Sequence, residues 1–248
     1  MAQNVPPFEF DDDAKVVRQF VFEFWCDTGH APNLRDVHEA TGLDRRAIID
    51  AYKALQLGII ITCDETTVNC NLLKAPPFSA YPSQVAVHLD GEFHSWAGCA
   101  SEAIAISKMP PFAGRTVTLE SYCACCLEPI TIVSQDFEVR SAAPESVLMH
   151  ISRSPHDWNT GSDDMMHMCD AMNFVIDADH ADRFERQICR RGVLLDLDQT
   201  TRFVTYTATQ RMHDYHWPPQ TMMPEIVIDL FEGYGVDVDS WRGDQPSL

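Results

Sequence analysis

The sequence predicts an α+β protein: an N-terminal winged-helix-like helical domain followed by a small mixed sheet-and-helix core. Three observations predict it. Capped helical periodicity runs from Ala14 to Leu57, a proline-rich break covers 76–82, and short strand-like runs alternate with small helices beyond it. With 248 residues the chain is long enough for one sizeable domain or two small ones. A hydrophobic content of 45% is that of a globular protein and excludes disorder as the main state.

Met1 to Asp13 reads as a short acidic tail. From Ala14 to Cys26, Val16, Val17, Phe20, Val21, Phe24 and Trp25 give a helical period with one broad apolar face, and Gly29 is its stop. Asn33–Ala40 makes a short helix and 41–44 a turn. Asp44 is placed to cap the next helix, Arg45–Leu57, in which Ile48, Ile49, Tyr52 and Leu55 share a face. Gly58 stops that helix. Ile59–Thr62 and Thr67–Leu72 then read as a hairpin. Three helices and a hairpin in this order describe a winged helix-turn-helix over 14–75.

After the linker, strand-like runs fall at Val85–Leu89, Thr116–Glu120, Ile130–Val133 and Val147–Ser152. Between the first two, Ala97–Ser107 has the small residues of a compact helix, ended before Pro110-Pro111. Asp163–Phe174 and Ala181–Arg190 are candidate helices. The tail holds strand-like Val193–Asp198 and Phe203–Thr207 and a helix-like Glu225–Phe231.

Charge narrows the function. Eighteen Lys and Arg against 37 Asp and Glu leave a net charge of −19, which argues against nucleic acid or an anionic membrane as partner. A winged helix-turn-helix would read DNA with Arg45 and Arg46 at the start of its recognition helix. Yet from His30 to Thr62, Arg35, Arg45, Arg46 and Lys53 are matched by Asp36, Glu39, Asp44 and Asp50. A structural or protein-contact role is therefore the expectation for this unit. No apolar run has the length of a membrane span, and Met1–Phe10 lacks the pattern of a signal peptide, so the cytoplasm is the expected location.

The nine cysteines carry the chemistry. They stand at 26, 63, 70, 99, 123, 125, 126, 169 and 189, and in a reducing compartment serve as core residues, metal ligands or nucleophiles. If a helix begins near Gly98, Cys99 lies in its first turn, where the helix dipole favours a thiolate, and Glu102 shares its face. The plainer alternative is a buried cysteine beside a solvated glutamate. Cys123 and Cys126 have C-x-x-C spacing; they are either half of a zinc site or a tight turn with a buried thiol. Around Cys169, Met165, Met166, Met168 and Met172 are core residues or soft ligands, and His167 is a surface residue or a local base.

Together these segments resemble a family. Gly114 to Cys123, Gly-Arg-Thr-Val-Thr-Leu-Glu-Ser-Tyr-Cys, is similar to a stretch of the organomercurial (alkylmercury) lyases, following a Trp/Ala-rich segment that holds an active-site cysteine. The resemblance runs from about Val87 to Arg186, with looser agreement through the helical unit. It implies a winged-helix-like domain joined to a small catalytic core, with Cys99 and Cys169 as the cysteines that hold mercury and Glu102 at the acid position. Cys123 takes the place of a third, largely structural cysteine. It further implies protonolysis of the carbon–mercury bond of a small organomercurial, no required cofactor, and low-molecular-weight thiols as mercury acceptors.

The chain departs from the family in four places. The acid is Glu rather than the usual Asp, and Gly98 stands where Trp commonly precedes the first cysteine, with Trp96 as a stand-in. Cys125 and Cys126 are additional. The segment after Arg190, including His213-Asp214-Tyr215-His216-Trp217, has no counterpart and is either a lid or packing for an extension. The expected division is thus tail 1–13, winged-helix-like domain 14–75, linker 76–82, catalytic core 83–190 and C-terminal extension 191–248, in a monomer or homodimer. Two other classes share these residues: a lyase-like enzyme using the cysteine on a non-mercury substrate, and a winged-helix sensor holding zinc or a soft ion among Cys99, Cys123, Cys126 and Cys169.

Overall fold

The computed structural model describes residues 9–58, 60–158, 168–213 and 224–242, without the side chains of 207–213. It begins with three helices: α1 (Asp12–Thr28), α2 (Leu34–Thr41) and α3 (Arg45–Leu57). Each has its own start signal. Asp11, Asn33 and Asp44 are the N-caps, the second as a capping box in which Asp36 reaches back to the Asn33 amide. The acidic tail is shorter than expected: Asp12 and Asp13 belong to α1, and Phe10 is buried.

α1 buries Ala14, Val17, Val21 and Trp25, spaced for one helical face. Its end is fixed against the sheet. Gly29 sits at φ 77°, and a Cβ there would lie 2.0 Å from the backbone oxygen of His94. Only glycine supplies both the left-handed turn and the close approach. Trp25 stacks on Phe78 with ring centroids 5.7 Å apart, and the Cys26 carbonyl lies 2.9 Å from His94 Nε2.

Two short strands follow, β1 (Thr62–Asp64) and β2 (Asn71–Ala75), paired antiparallel. The expected hairpin lies a few residues further along the chain. Ile60 and Ile61 are buried plugs beneath α3 rather than strand residues, and Thr67–Cys70 forms the turn. Core burial claims these isoleucines before sheet pairing can. Residues 76–82, read as a linker, hold β3 (Phe78–Ser79), which pairs with both β2 and the later strand Glu92–Ala97.

The sheet then runs through β4 (Ala86–Leu89), β5 (Glu92–Ala97), β6 (Thr116–Tyr122), β7 (Pro129–Gln135) and β8 (Glu138–Ala143). Eight strands lie in the order β1-β2-β3-β5-β4-β6-β7-β8, every neighbouring pair antiparallel. Alternation sends Val87, Leu89, Val117, Leu119, Ile130 and Ile132 inward. Between β5 and β6 lies α4 (Ala100–Ile106), every residue of which is buried; that crowding accounts for its alanines.

A second sheet has β9 (Leu148–Ile151) between β10 (Met172–Val175) and β11 (Val193–Leu195). α5 (Ala178–Ile188) links β10 to β11, and α6 (Leu197–His213), α7 (Pro224–Gly233) and α8 (Asp239–Arg242) complete the chain. Two expectations are corrected here. The helix expected to run to Phe174 gives way to β10, because Met172–Val175 pair along β9. Phe203–Thr207 is helical, since Asp196 and Gln199 exchange side chain-to-backbone bonds of 2.7 and 2.9 Å, a capping box that starts α6. Residues 191–206, placed in an extension, supply β11 and the start of α6. Phe203 then packs on Phe231 of α7 at 4.8 Å between ring centroids.

Candidate active site

The two sheets bring three reactive side chains together. β5 delivers the chain to Gly98, and Cys99 is the N-cap of α4, with an extended backbone (φ −165°) and no side-chain capping bond. Its sulfur is thus free of helix duty. Glu102 lies one turn on. Cys169 lies among helical residues 168–170, just ahead of β10. Among the described residues, Cys99, Glu102 and Cys169 form the one group of three metal-ligating side chains whose ligand atoms all lie within 4.8 Å of one another. All three are buried.

The Cys169 thiol donates toward both carboxylate oxygens of Glu102, at 3.6 Å to Oε1 and 3.5 Å to Oε2. Contact with the Cys99 sulfur, then burial, then the neighbouring Glu102 charge hold the Cys169 thiol well above its usual range. Cys169 therefore carries its proton until something displaces it. Cys99 Sγ lies 3.3 Å from Ser101 Oγ, and that hydroxyl donates to Met172 Sδ at 3.1 Å. The expectation of a solvated glutamate is overturned, because Glu102 is buried with the rest of α4.

Gly98 explains how the longer acid fits. A Cβ on Gly98 would lie 1.8 Å from Glu102 Oε2, so the carboxylate occupies the space a side chain would take. Trp96 does not stand in for a missing aromatic. It lies on the face of β5 opposite the buried Ser95 and Ala97, and its ring packs on Phe93 at 5.4 Å.

Lys74 on β2, which sequence reasoning missed, points into the same place. It is 1% exposed, and its Nζ donates to the Gly98 carbonyl at 3.2 Å and lies 5.7 Å from the centre of the Tyr81 ring. Burial alone would pull its ammonium down; Cys169 first, then Glu102 and Cys99, outweigh burial and hold it above its ordinary range. The signal was a lysine on the inward face of an apolar strand, Leu72-Leu73-Lys74-Ala75. Ser101 and Met172 were also missed as neighbours of the Cys99 sulfur.

The other expected site residues fall elsewhere. Cys123 is fully buried and Cys126 exposed, on a turn where Cys123 N donates to Glu128 O at 2.8 Å and Leu127 N to Cys123 O at 2.9 Å. Their sulfurs touch each other, but among the described residues no third ligand joins them. The sensor's four-cysteine set is therefore not assembled. Met168 and Met172 are core residues. Met165, Met166, His167 and 214–217 lie outside the described residues, and His213 ends α6.

A buried pair of thiols with a carboxyl group against one of them suits a soft metal whose attached group must accept a proton, which is the equipment of a metal–carbon lyase. The alkylmercury lyase family model matches residues 78–209, slightly more than half of the chain, and the chain belongs to that family. It is a carbon–mercury lyase acting on organomercurials. The match starts earlier and runs further than the resemblance read from the sequence, taking in β3, β11 and most of α6. Among solved structures the chain is similar to the mercury-bound form of MerB2. The two share 18% identity and a TM-score of 0.62 over 82% of this chain and 92% of that one, a likeness of fold. No curated protein matches the chain by sequence.

Proposed function

We propose that Cys99 and Cys169 hold the mercury and that Glu102 delivers the proton. The observation that carries the assignment is the thiol–carboxylate contact at 3.5 and 3.6 Å inside the buried group of three. Mercury(II) is a soft cation, so thiolates are its natural ligands. The Cys99 sulfur displaces X from R–Hg–X, and its proton leaves with X. Cys169 then binds the metal and passes its proton to Glu102, the group it already touches. Two thiolates on mercury raise the electron density on the attached carbon. Glu102 protonates that carbon, the electron pair of the carbon–mercury bond becomes the new C–H bond, R–H departs, and mercury(II) stays on two thiolates. No oxidation state changes, and the carboxylate is regenerated.

No step calls on a resident cofactor. Low-molecular-weight thiols are the proposed acceptors of the product, which fits a cytoplasmic protein whose nine cysteines are all free. Among the described residues no helix is long and apolar enough to cross a membrane. All three reacting groups come from one chain, so a monomer or a homodimer serves.

Cys123 is assigned a structural part, without zinc: its turn ties the β6–β7 hairpin to β10 through the bond from Ala124 N to Phe174 O at 2.9 Å. Residues 14–75 are read as a winged-helix-like unit serving as scaffold, with 83–190 and 191–248 as core and extension. The tie of α1 to β5 supports the scaffold role. Its surface cations are also engaged within the chain, Arg35 with Glu39 at 2.6 Å and Arg46 with Asp50 at 3.4 Å, leaving little to bind phosphates. The experiment is hydrocarbon release from phenyl- or methylmercury in excess thiol. Catalytic benzene or methane from the native protein and none from Cys99→Ser or Cys169→Ser is expected; cleavage retained in either variant would overturn the assignment.

A further inference from the structure

Lys74 is the one charged side chain at this site that the proposed chemistry leaves without a task. A lysine is almost never fully buried unless paired, because removing an ammonium from water costs several kcal/mol, of the order of the penalty for any buried ion. This one is 1% exposed, and no carboxylate forms a salt bridge with it within 4 Å among the described residues. Its fixed contacts are neutral: the Gly98 carbonyl and the face of Tyr81. The anionic groups in its surroundings are those of the reacting cluster, with Glu102 joined to Gly98 by the close packing of carboxylate on Cα.

We propose that Lys74 is the counter-ion of the active site, a positioning residue that keeps the reacting group electrically neutral at every stage and pins the peptide leading into Cys99. The inference rests on the roles proposed for Cys99, Cys169 and Glu102. Charge is conserved along the sequence as follows. The proposed chemistry starts from two thiols and one carboxylate, a single negative charge that Lys74 cancels. With R–Hg bound, the cation R–Hg, two thiolates and a protonated Glu102 again sum to one negative charge. After R–H departs, mercury(II), two thiolates and the Glu102 carboxylate do so once more. Without a cation, each of these states would be a net anion sealed in a low-dielectric interior. The same Nζ that supplies the charge holds the Gly98 carbonyl at 3.2 Å, fixing the peptide between the carboxylate seat and the nucleophile.

The sequence places the lysine where it can act without competing for mercury. An ammonium has no lone pair to offer a soft metal, and β2 holds its backbone by pairing Lys74 with Thr62 on one side and Ser79 on the other. Cation and ligands thus come from separate elements of one framework.

The test compares Lys74→Met, Lys74→Gln and Lys74→Arg with the native full-length protein, using phenylmercury acetate and excess thiol. Three quantities are read: kcat for benzene release, mercury(II) bound per chain, and melting temperature. The expectation is a fall in kcat of about a hundredfold in Lys74→Met and Lys74→Gln, comparable to losing one preorganised electrostatic contact. Lys74→Arg recovers most of it, and all three still bind one mercury per chain. Lys74→Gln keeps a donor for the Gly98 carbonyl but no charge, so native-like kcat in that variant would overturn the counter-ion role. Lys74→Arg as slow as Lys74→Met at equal melting temperature would overturn it as well. Should Lys74→Met fail to fold, the Gln and Arg variants decide the matter alone. Cys99→Ser runs alongside: a native protein that releases benzene while Cys99→Ser does not keeps the lyase assignment standing whatever Lys74 shows.

Discussion

The Cys99/Cys169 pair and the Cys123/Cys126 pair each bring two sulfurs into contact, and they differ in everything else that matters to chemistry. The first is assembled from two distant segments, is wholly buried, and has Glu102 against one thiol and Lys74 behind it. The second is local, lies on one tight turn, and leaves Cys126 exposed, with no third ligand among the described residues. Two thiols suffice to bind mercury. Cleaving its bond to carbon also requires a proton held in place and a neutral, dry setting in which to move it. The contrast teaches that the pair most visible in the sequence is the one with the least chemistry around it.

Substitution can break that comparison at its strongest point. Cys99→Ser or Cys169→Ser is expected to lower hydrocarbon release by about 10⁴-fold or more, since residues acting as one unit fail together; headspace chromatography reads it directly. Removing only the acid is milder. Glu102→Gln should lose about 10³-fold in kcat, within the range for a positioned general acid, while still binding one mercury per chain by elemental analysis. If Glu102→Gln turned over at the native rate, the difference between the two pairs would shrink to burial alone.

Smaller effects sharpen the contrast. Gly98→Ala puts a methyl group where Glu102 Oε2 sits and should cost about 10²-fold in kcat, the scale of an ångström-sized misplacement. Shortening the acid in the same chain, as Gly98→Ala/Glu102→Asp, should recover part of the loss; a double variant no better than the single would show that the seat is not shared. Thiol alkylation followed by mass spectrometry separates the pairs by access and charge. Cys126 should label at least about tenfold faster than Cys169 near neutral pH, because thiolate fraction and exposure set the rate. Cys169, whose thiol is held well above its usual range, should label appreciably only as pH rises, since raising pH is what removes the proton its surroundings retain. Cys126→Ser completes the series with a change in kcat of less than about twofold, as expected of a surface substitution away from the reacting atoms.

The legible parts of the fold are those whose signals are local. Asp44 and Gly29 announced a helix start and a helix stop, and the structure has both. Asp196 with Gln199 is an equally local capping box, and the helix it starts includes the β-branched and aromatic run Phe203–Thr207. β5 was missed although Asp90-Gly91 makes a left-handed hairpin turn at φ 53° and 89° before it. β10 could not be found locally, because Met172–Val175 is a strand only by virtue of pairing with β9.

The site divides in the same way. Cys99 and Glu102 are three residues apart, the spacing of an N-cap and the third helical residue, which places both at one helix start before any tertiary contact forms. The family resemblance, carried by Gly114–Cys123 and the cysteines around it, extended this to Cys169. Residue identity, caps and periodicity act over a few positions, so the sequence alone offers the candidate reacting groups and most of the helices around them. The tertiary structure decided which groups meet: that Cys169 presents its thiol to Glu102, that the carboxylate fills the empty side of Gly98, and that Lys74 crosses from β2 to face them. Those contacts join strands and turns far apart along the chain. Burial makes them matter, since only where water is excluded must each charge and each proton find its partner within the protein.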